Sequence, residues 1–249
     1  MYVTKLTLKE IALIDTTSNF VIRVAAMTFA KATRVCLRRP WLLDRIFDGG
    51  HNVIYCFSKT EPHVALTIDE SPFASSTPAI LDVLERVGAK ATFFIIGSNV
   101  QGNEALLERI VRMGHEIGNH MLRDFPSHRL SPGCFRDEFL QTDAILRKFT
   151  SHLHWFRPAS GRFTPSMLEV IAEFGYEAAL GDVYPFDPHI PFEQFASEVI
   201  IRATLPGSII ILHDGLNRGR RTAAVLNRAI PSLKGAGYRF VTLSNLVSD

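Results

Sequence analysis

The chain has 249 residues but only three cysteines, Cys36, Cys56 and Cys134. They are far apart, odd in number and without C-x-x-C spacing, so neither a disulfide framework nor a thiolate zinc site is expected. Buried or free thiols in a reducing compartment are the simpler expectation. An excess of one charge sign is missing too. A formal net charge of +2 argues against nucleic acid as a partner, because such binding needs a concentrated basic face. Long apolar runs are also scarce. The best candidate, residues 20–32, is broken by Arg23 and Lys31, so no stretch reads as a bilayer span. That stretch lacks the charged start and small-residue cleavage site of a secretory signal, which favours an intracellular protein. No internal repeat or low-complexity tract is visible.

What is present is enough apolar material, 47 % of residues, to bury a sizeable core. The chain divides at about residue 62. Before it, Lys31, Arg34, Arg38, Arg39 and Arg45 alternate with Phe29, Val35, Leu37, Trp41 and Leu42. This predicts one or two amphipathic helices interrupted at Pro40, an N-terminal helical extension over residues 1–62. A cap packed on the main domain is the expected role, ahead of contact with a membrane surface. Residues 63–249 alternate short apolar runs (64–68, 91–96, 155–156, 176–180, 208–212 and 238–241) with helical patterns (78–87, 103–113, 135–148, 165–174 and 220–234). Continuous short runs suit buried parallel strands. Repeated strand–helix units predict an α/β fold with a parallel sheet or barrel.

Ionisable residues fall where those strands end, the place where (β/α) barrels collect catalytic groups. Asp69 and Glu70 follow the first run. His120 and Asp124 follow residues 116–119, Arg157 follows 155–156, Asp182 and Asp187 follow 179–181, and His213 with Asp214 follows 209–212. A helix N-cap would account for one acid at 69–71, not for two adjacent ones. Two neighbouring carboxylates need a positive partner, either a metal ion or Arg157. His120 and Asp124, four apart, would share a face of a helix or tight turn. With Glu70 they make three ligands and leave a position open for water. His128 is the rival to Asp124, reaching back through a loop. His213 suits a general acid, held protonated by Asp187 or Asp182.

In this order the residues resemble the polysaccharide deacetylases with a NodB-homology domain, the chitin and peptidoglycan deacetylase family of carbohydrate esterases. Residues 67–72, Thr-Ile-Asp-Glu-Ser-Pro, are similar to its first motif, usually T-F-D-D-G-P. Residues 118–124, Gly-Asn-His-Met-Leu-Arg-Asp, resemble G-N-H-S/T-x-x-H. Phe156-Arg157-Pro158 resembles the start of the third motif, residues 182–188 stand where the family has D-x-x-D-W, and Leu212-His213-Asp214 resembles its final L-H. The likeness spans residues 63–247. It implies a deformed (β/α) barrel. It also implies Asp69 as general base, Glu70, His120 and Asp124 as metal ligands, and Arg157 paired with Asp69. His213 would be the general acid with Asp187 behind it, and a main-chain amide at Ser160 the oxyanion donor. The cofactor implied is a divalent metal, zinc first, with cobalt or manganese as alternatives.

The departures are Glu70 for Asp, Ser71 for Gly, Asp124 for the second His, Ala159-Ser160 for a Pro-aromatic pair and Pro188 for Trp. Asp124 makes the ligand set harder and more anionic, weakening its preference for zinc. The expected reaction is metal-dependent removal of N-acetyl groups from an N-acetylglucosamine-containing, chitin-like oligo- or polysaccharide. The alternatives are an amidohydrolase of a small non-sugar amide and a non-catalytic glycan-binding descendant.

Overall fold

The computed structural model describes residues 21–31, 53–215 and 218–248. Residues 21–31 form helix α1. The basic–apolar stretch around Pro40 lies outside the described residues. From there the order is β1 (Val53–Ile54), β2 (His63–Ser71), α2 (Thr77–Val87), β3 (Thr92–Ile95), α3 (Glu104–Arg112), β4 (Glu116–Asn119) and α4 (Pro132–Leu146). Then follow β5 (Trp155–Phe156), α5 (Pro165–Glu173), β6 (Glu177–Ala179), α6 (Glu193–Ala203), β7 (Ile209–His213), α7 (Arg218–Gly235), β8 (Arg239–Val241) and α8 (Leu243–Ser248).

The strands line up as β1-β6-β5-β4-β3-β2-β7, with β8 also on β2, and every ladder is parallel. The cause is the alternation of buried runs with crossover helices. Six of the seven residues from Val64 to Glu70 are buried, as a strand covered on both faces requires. Beyond the strands, Val183, in the segment after β6, forms an isolated parallel bridge to Ile210 of β7, and Cys56, just after β1, forms an antiparallel bridge to Ser208. The sheet therefore curls toward a barrel, although no continuous ladder closes it.

Local signals set the helix starts. Pro132 and Pro165 occupy first-turn positions where no N–H is needed. Ser131 and Thr164 precede them and accept from the amides of Cys134 and Met167. Helix α1 packs Ala26 against Phe195 and Val199 of α6. Among the described residues no helix is long and apolar enough to cross a membrane.

Candidate active site

Strand β2 has to present two adjacent carboxylates, yet neighbouring strand residues face opposite sides of a sheet. The backbone resolves this with an irregularity. The register against β3 slips between Asp69 and Ser71, and Glu70 takes φ +72°, as in a β-bulge that re-aims a side chain. The Asn99 side-chain amide donates to the Glu70 carbonyl at 2.9 Å.

Arg157 leaves the end of β5 and is 2 % exposed. It donates to Asp69 Oδ1 at 2.6 Å, to Thr67 Oγ1 at 2.7 Å, and to the carbonyls of Ala179 and Leu180 at 2.8 Å each. Its guanidinium lies 4.1 Å from the centroid of the Phe94 ring, a cation–π contact that also takes it out of water. Burial alone would raise the Asp69 carboxyl. The Arg157 charge, with His120 and His213, overcomes that and holds it below the ordinary carboxylate value.

Two imidazoles face the other oxygen of Asp69. His120 Nδ1 lies 2.7 Å from the carbonyl oxygen of Arg157. A carbonyl can only accept, so Nδ1 carries the proton and Nε2 presents a lone pair. His213 Nδ1 lies 3.0 Å from Asp187 Oδ1, and its backbone amide donates to Asp187 Oδ2 at 3.0 Å. Both Nε2 atoms lie 4.0 Å from Asp69 Oδ2, beyond direct hydrogen-bond length. Burial pushes both imidazoles toward the neutral form. His120 stays lowered, whereas at His213 the Asp187 carboxylate outweighs burial and raises the pKa.

Glu70 is bound differently. Both its carboxylate oxygens lie 2.8 Å from one guanidinium nitrogen of Arg218 at the start of α7. Burial pushes its carboxyl up to about 7, with the negative charges of Asp124 and Asp69 adding to the rise and His213 and Arg218 opposing it.

The remaining expected residues have other surroundings. The segment after His120 is a bend, not a helix, with Met121 at φ +72°. His120 is therefore buried while Asp124 is exposed, and a shared helical face does not exist. His128 sits in a 3-10 turn (Ser127–Arg129), its Nδ1 buried without a hydrogen-bond partner among the described residues. Ser160 is exposed, at φ +68°, in the turn after Pro158. Asp182 accepts from Ser208 Oγ and the Ile209 amide, so it ties β7 in place and leaves Asp187 to orient His213. Among the described residues no three His, Cys, Asp or Glu side chains are placed to share a metal ion. Glu70, His120 and Asp124 have suitable donor chemistry. Their present arrangement does not fit a closed metal site, because Arg218 holds Glu70 and Asp124 faces solvent.

Other participants had no role assigned from the sequence. Asp214, fully buried, accepts from the hydroxyls of Ser71, Ser76 and Thr77, and its own amide donates to the Asp69 carbonyl at 2.8 Å. Gly219 makes room for this cluster, since a Cβ there would lie 2.4 Å from Asp214 Oδ1. Tyr184 packs its ring 5.9 Å from that of His213. Three hydroxyls within eight residues of Asp69 were the available signal for the Asp214 cluster. Arg218 carried none, since it opens a basic run that reads as a solvated helix face.

A family model described as polysaccharide deacetylase matches residues 58–179. A peptidoglycan-N-acetylglucosamine deacetylase of Bacillus cereus is 33 % identical over 208 residues, 83 % of this chain and 98 % of that protein. A crystal structure of the peptidoglycan N-acetylglucosamine deacetylase Bc1960 is similar with a TM-score of 0.74 at 27 % identity, over 78 % of this chain and 92 % of that one. BA3943 of Bacillus anthracis, described as a CE4 family pseudoenzyme, gives a TM-score of 0.72 at 27 % identity, over 78 % of this chain and 68 % of that one.

Proposed function

The chain belongs to the polysaccharide deacetylase family, hydrolases of N-acetyl amide bonds, and from that premise we propose that it removes acetyl groups from N-acetylglucosamine units of an oligo- or polysaccharide. The observation that carries this reading is Asp69 Oδ2 set 4.0 Å from two imidazole Nε2 atoms in opposite states. His120 presents a lone pair, and His213, charged by Asp187, presents a proton.

Asp69, kept ionised by Arg157, takes a proton from a water molecule as the water oxygen attacks the acetyl carbonyl carbon. The carbonyl oxygen becomes an oxyanion, for which the main-chain N–H at Ser160 is the proposed donor. The C–N bond then breaks as His213 Nε2–H passes its proton to the nitrogen, giving acetate and a free amine. An amide nitrogen leaves only when protonated, so a dedicated acid is needed. A divalent ion, if it reaches Glu70, His120 and Asp124, would supply Lewis acidity.

The test is acetate release from N-acetylglucosamine oligomers and from peptidoglycan, by chelated protein and with zinc, cobalt or manganese added. Release from either polymer is the expected result. Glycan retention without acetate under every condition would sink the catalytic reading and favour a glycan-binding descendant. The likeness to a pseudoenzyme and the absence of a three-donor group among the described residues give that second reading its weight.

His213 also sets a pH limit. Its raised pKa keeps the acid protonated above the ordinary value of 6.5, and activity is lost as pH rises through it. Asp187→Asn removes the charge that raises it. The alkaline limb of kcat/KM against pH is expected to move to lower pH, with the acidic limb unchanged. An unmoved alkaline limb would exclude His213 as the acid under Asp187 control.

A further inference from the structure

The Glu70 carboxylate, the ligand that the family resemblance assigns to a metal, is already neutralised from within the chain. Arg218 NH1 reaches both its oxygens at 2.8 Å, and the pair is partly shielded, with Glu70 14 % and Arg218 38 % exposed at the side chain. A divalent ion binds a carboxylate through oxygen lone pairs at about 2.0–2.2 Å, and a guanidinium nitrogen set between both oxygens already takes the lone pairs that a chelated ion would use. We propose that Arg218 is a built-in counter-cation of Glu70, and that a divalent metal ion has to displace it in order to bind.

Two cations competing for one carboxylate make a different site from an empty cage. Each must offset the repulsion among Asp69, Glu70 and Asp124, and each weakens the other's hold by the free energy of its own pairing. The helix that carries Arg218 (Arg218–Gly235) also supplies Gly219 to the Asp214 cluster, so the arginine stands on a fixed element. A long side chain on such an element can swing away while its backbone stays. The inference rests on the deacetylase reading only for Glu70 as a ligand. It needs no turnover.

The experiment measures zinc and cobalt affinity of the full chain by competition with a chromophoric chelator. Arg218→Gln is expected to bind about tenfold tighter than the unaltered protein, equivalent to ~1.4 kcal/mol, with Arg218→Lys between them. Adding Glu70→Gln to Arg218→Gln should abolish the gain. Equal affinity for the unaltered protein and Arg218→Gln would overturn the proposal, as would a gain that survives Glu70→Gln or failure of every variant to bind metal. If Arg218→Gln melts early without metal, Arg218→Lys carries the test. Acetate release is read separately. Tighter metal binding without acetate leaves the competition standing and sinks the deacetylase reading, and acetate release with unchanged affinities does the reverse.

Discussion

Arg157→Met should destabilise the protein by about 3–5 kcal/mol, the usual cost of breaking a buried ion pair from one side. Methionine fills much of the volume over Phe94 but has no donor. Asp69 would be left charged at 4 % exposure, and Thr67 Oγ1 and the carbonyls of Ala179 and Leu180 would each lose a partner. Denaturant unfolding at neutral pH measures the loss. The pH dependence should change sign. In the natural chain the depressed Asp69 carboxyl contributes stability above its ordinary value near 3.8, and that stability is lost as pH falls through its folded value. In the variant, burial is no longer opposed by Arg157, so the Asp69 pKa climbs and the deficit should shrink as pH falls. Adding Asp69→Asn should restore part of the stability by removing the stranded charge. A loss below 1 kcal/mol would show that Arg157 is not what holds Asp69 in place.

Asp69→Asn alone should lose activity by about 10³-fold, within the range that general acid–base catalysis supplies. Asparagine keeps the shape and an oxygen able to accept from Arg157, so folding should survive. It has no lone-pair oxygen able to take a proton near neutrality. The loss should therefore fall on kcat, with KM little changed, as expected when an interaction made only in the transition state is removed. Acetate release from N-acetylglucosamine oligomers gives both constants. Activity within tenfold of the unaltered protein would remove Asp69 as the base.

Much of the frame was legible because it is written in local period. The runs at 64–68, 91–96 and 208–212 became β2, β3 and β7, and the helical patterns became α2, α3, α4, α5 and α7. The order of ionisable residues at strand ends also survived, since a parallel sheet brings successive strand ends to one side. Helix α6, Glu193–Ala203, went unread because it starts on Phe192 without a side-chain cap. At α4 the Ser131-Pro132 pair begins the helix three residues ahead of the apolar pattern.

Within the site, what was hidden depends on contacts between distant residues. The Ser71 hydroxyl goes to Asp214, 143 positions away. Asp182 and Asp187 lie on one short segment, and only the packing of β7 decides that the first holds backbone while the second holds His213. Arg218 and Glu70 are 148 positions apart. Spacing cannot announce such a pair. Nor could it show that the turn after His120 would leave Asp124 in solvent.

The positive φ of Glu70 has a consequence for how this protein can change. A side chain with a Cβ held in the left-handed region costs about 1–2 kcal/mol, and glycine carries no such penalty. The same position sits in a buried strand between Asp69 and Ser71, where the backbone has no freedom to relax. Selection for heat resistance alone would therefore drift toward glycine at 70 and discard the carboxylate. A library screened only on melting temperature would enrich well-folded proteins stripped of this half of the site, so screens at this strand have to score turnover alongside stability.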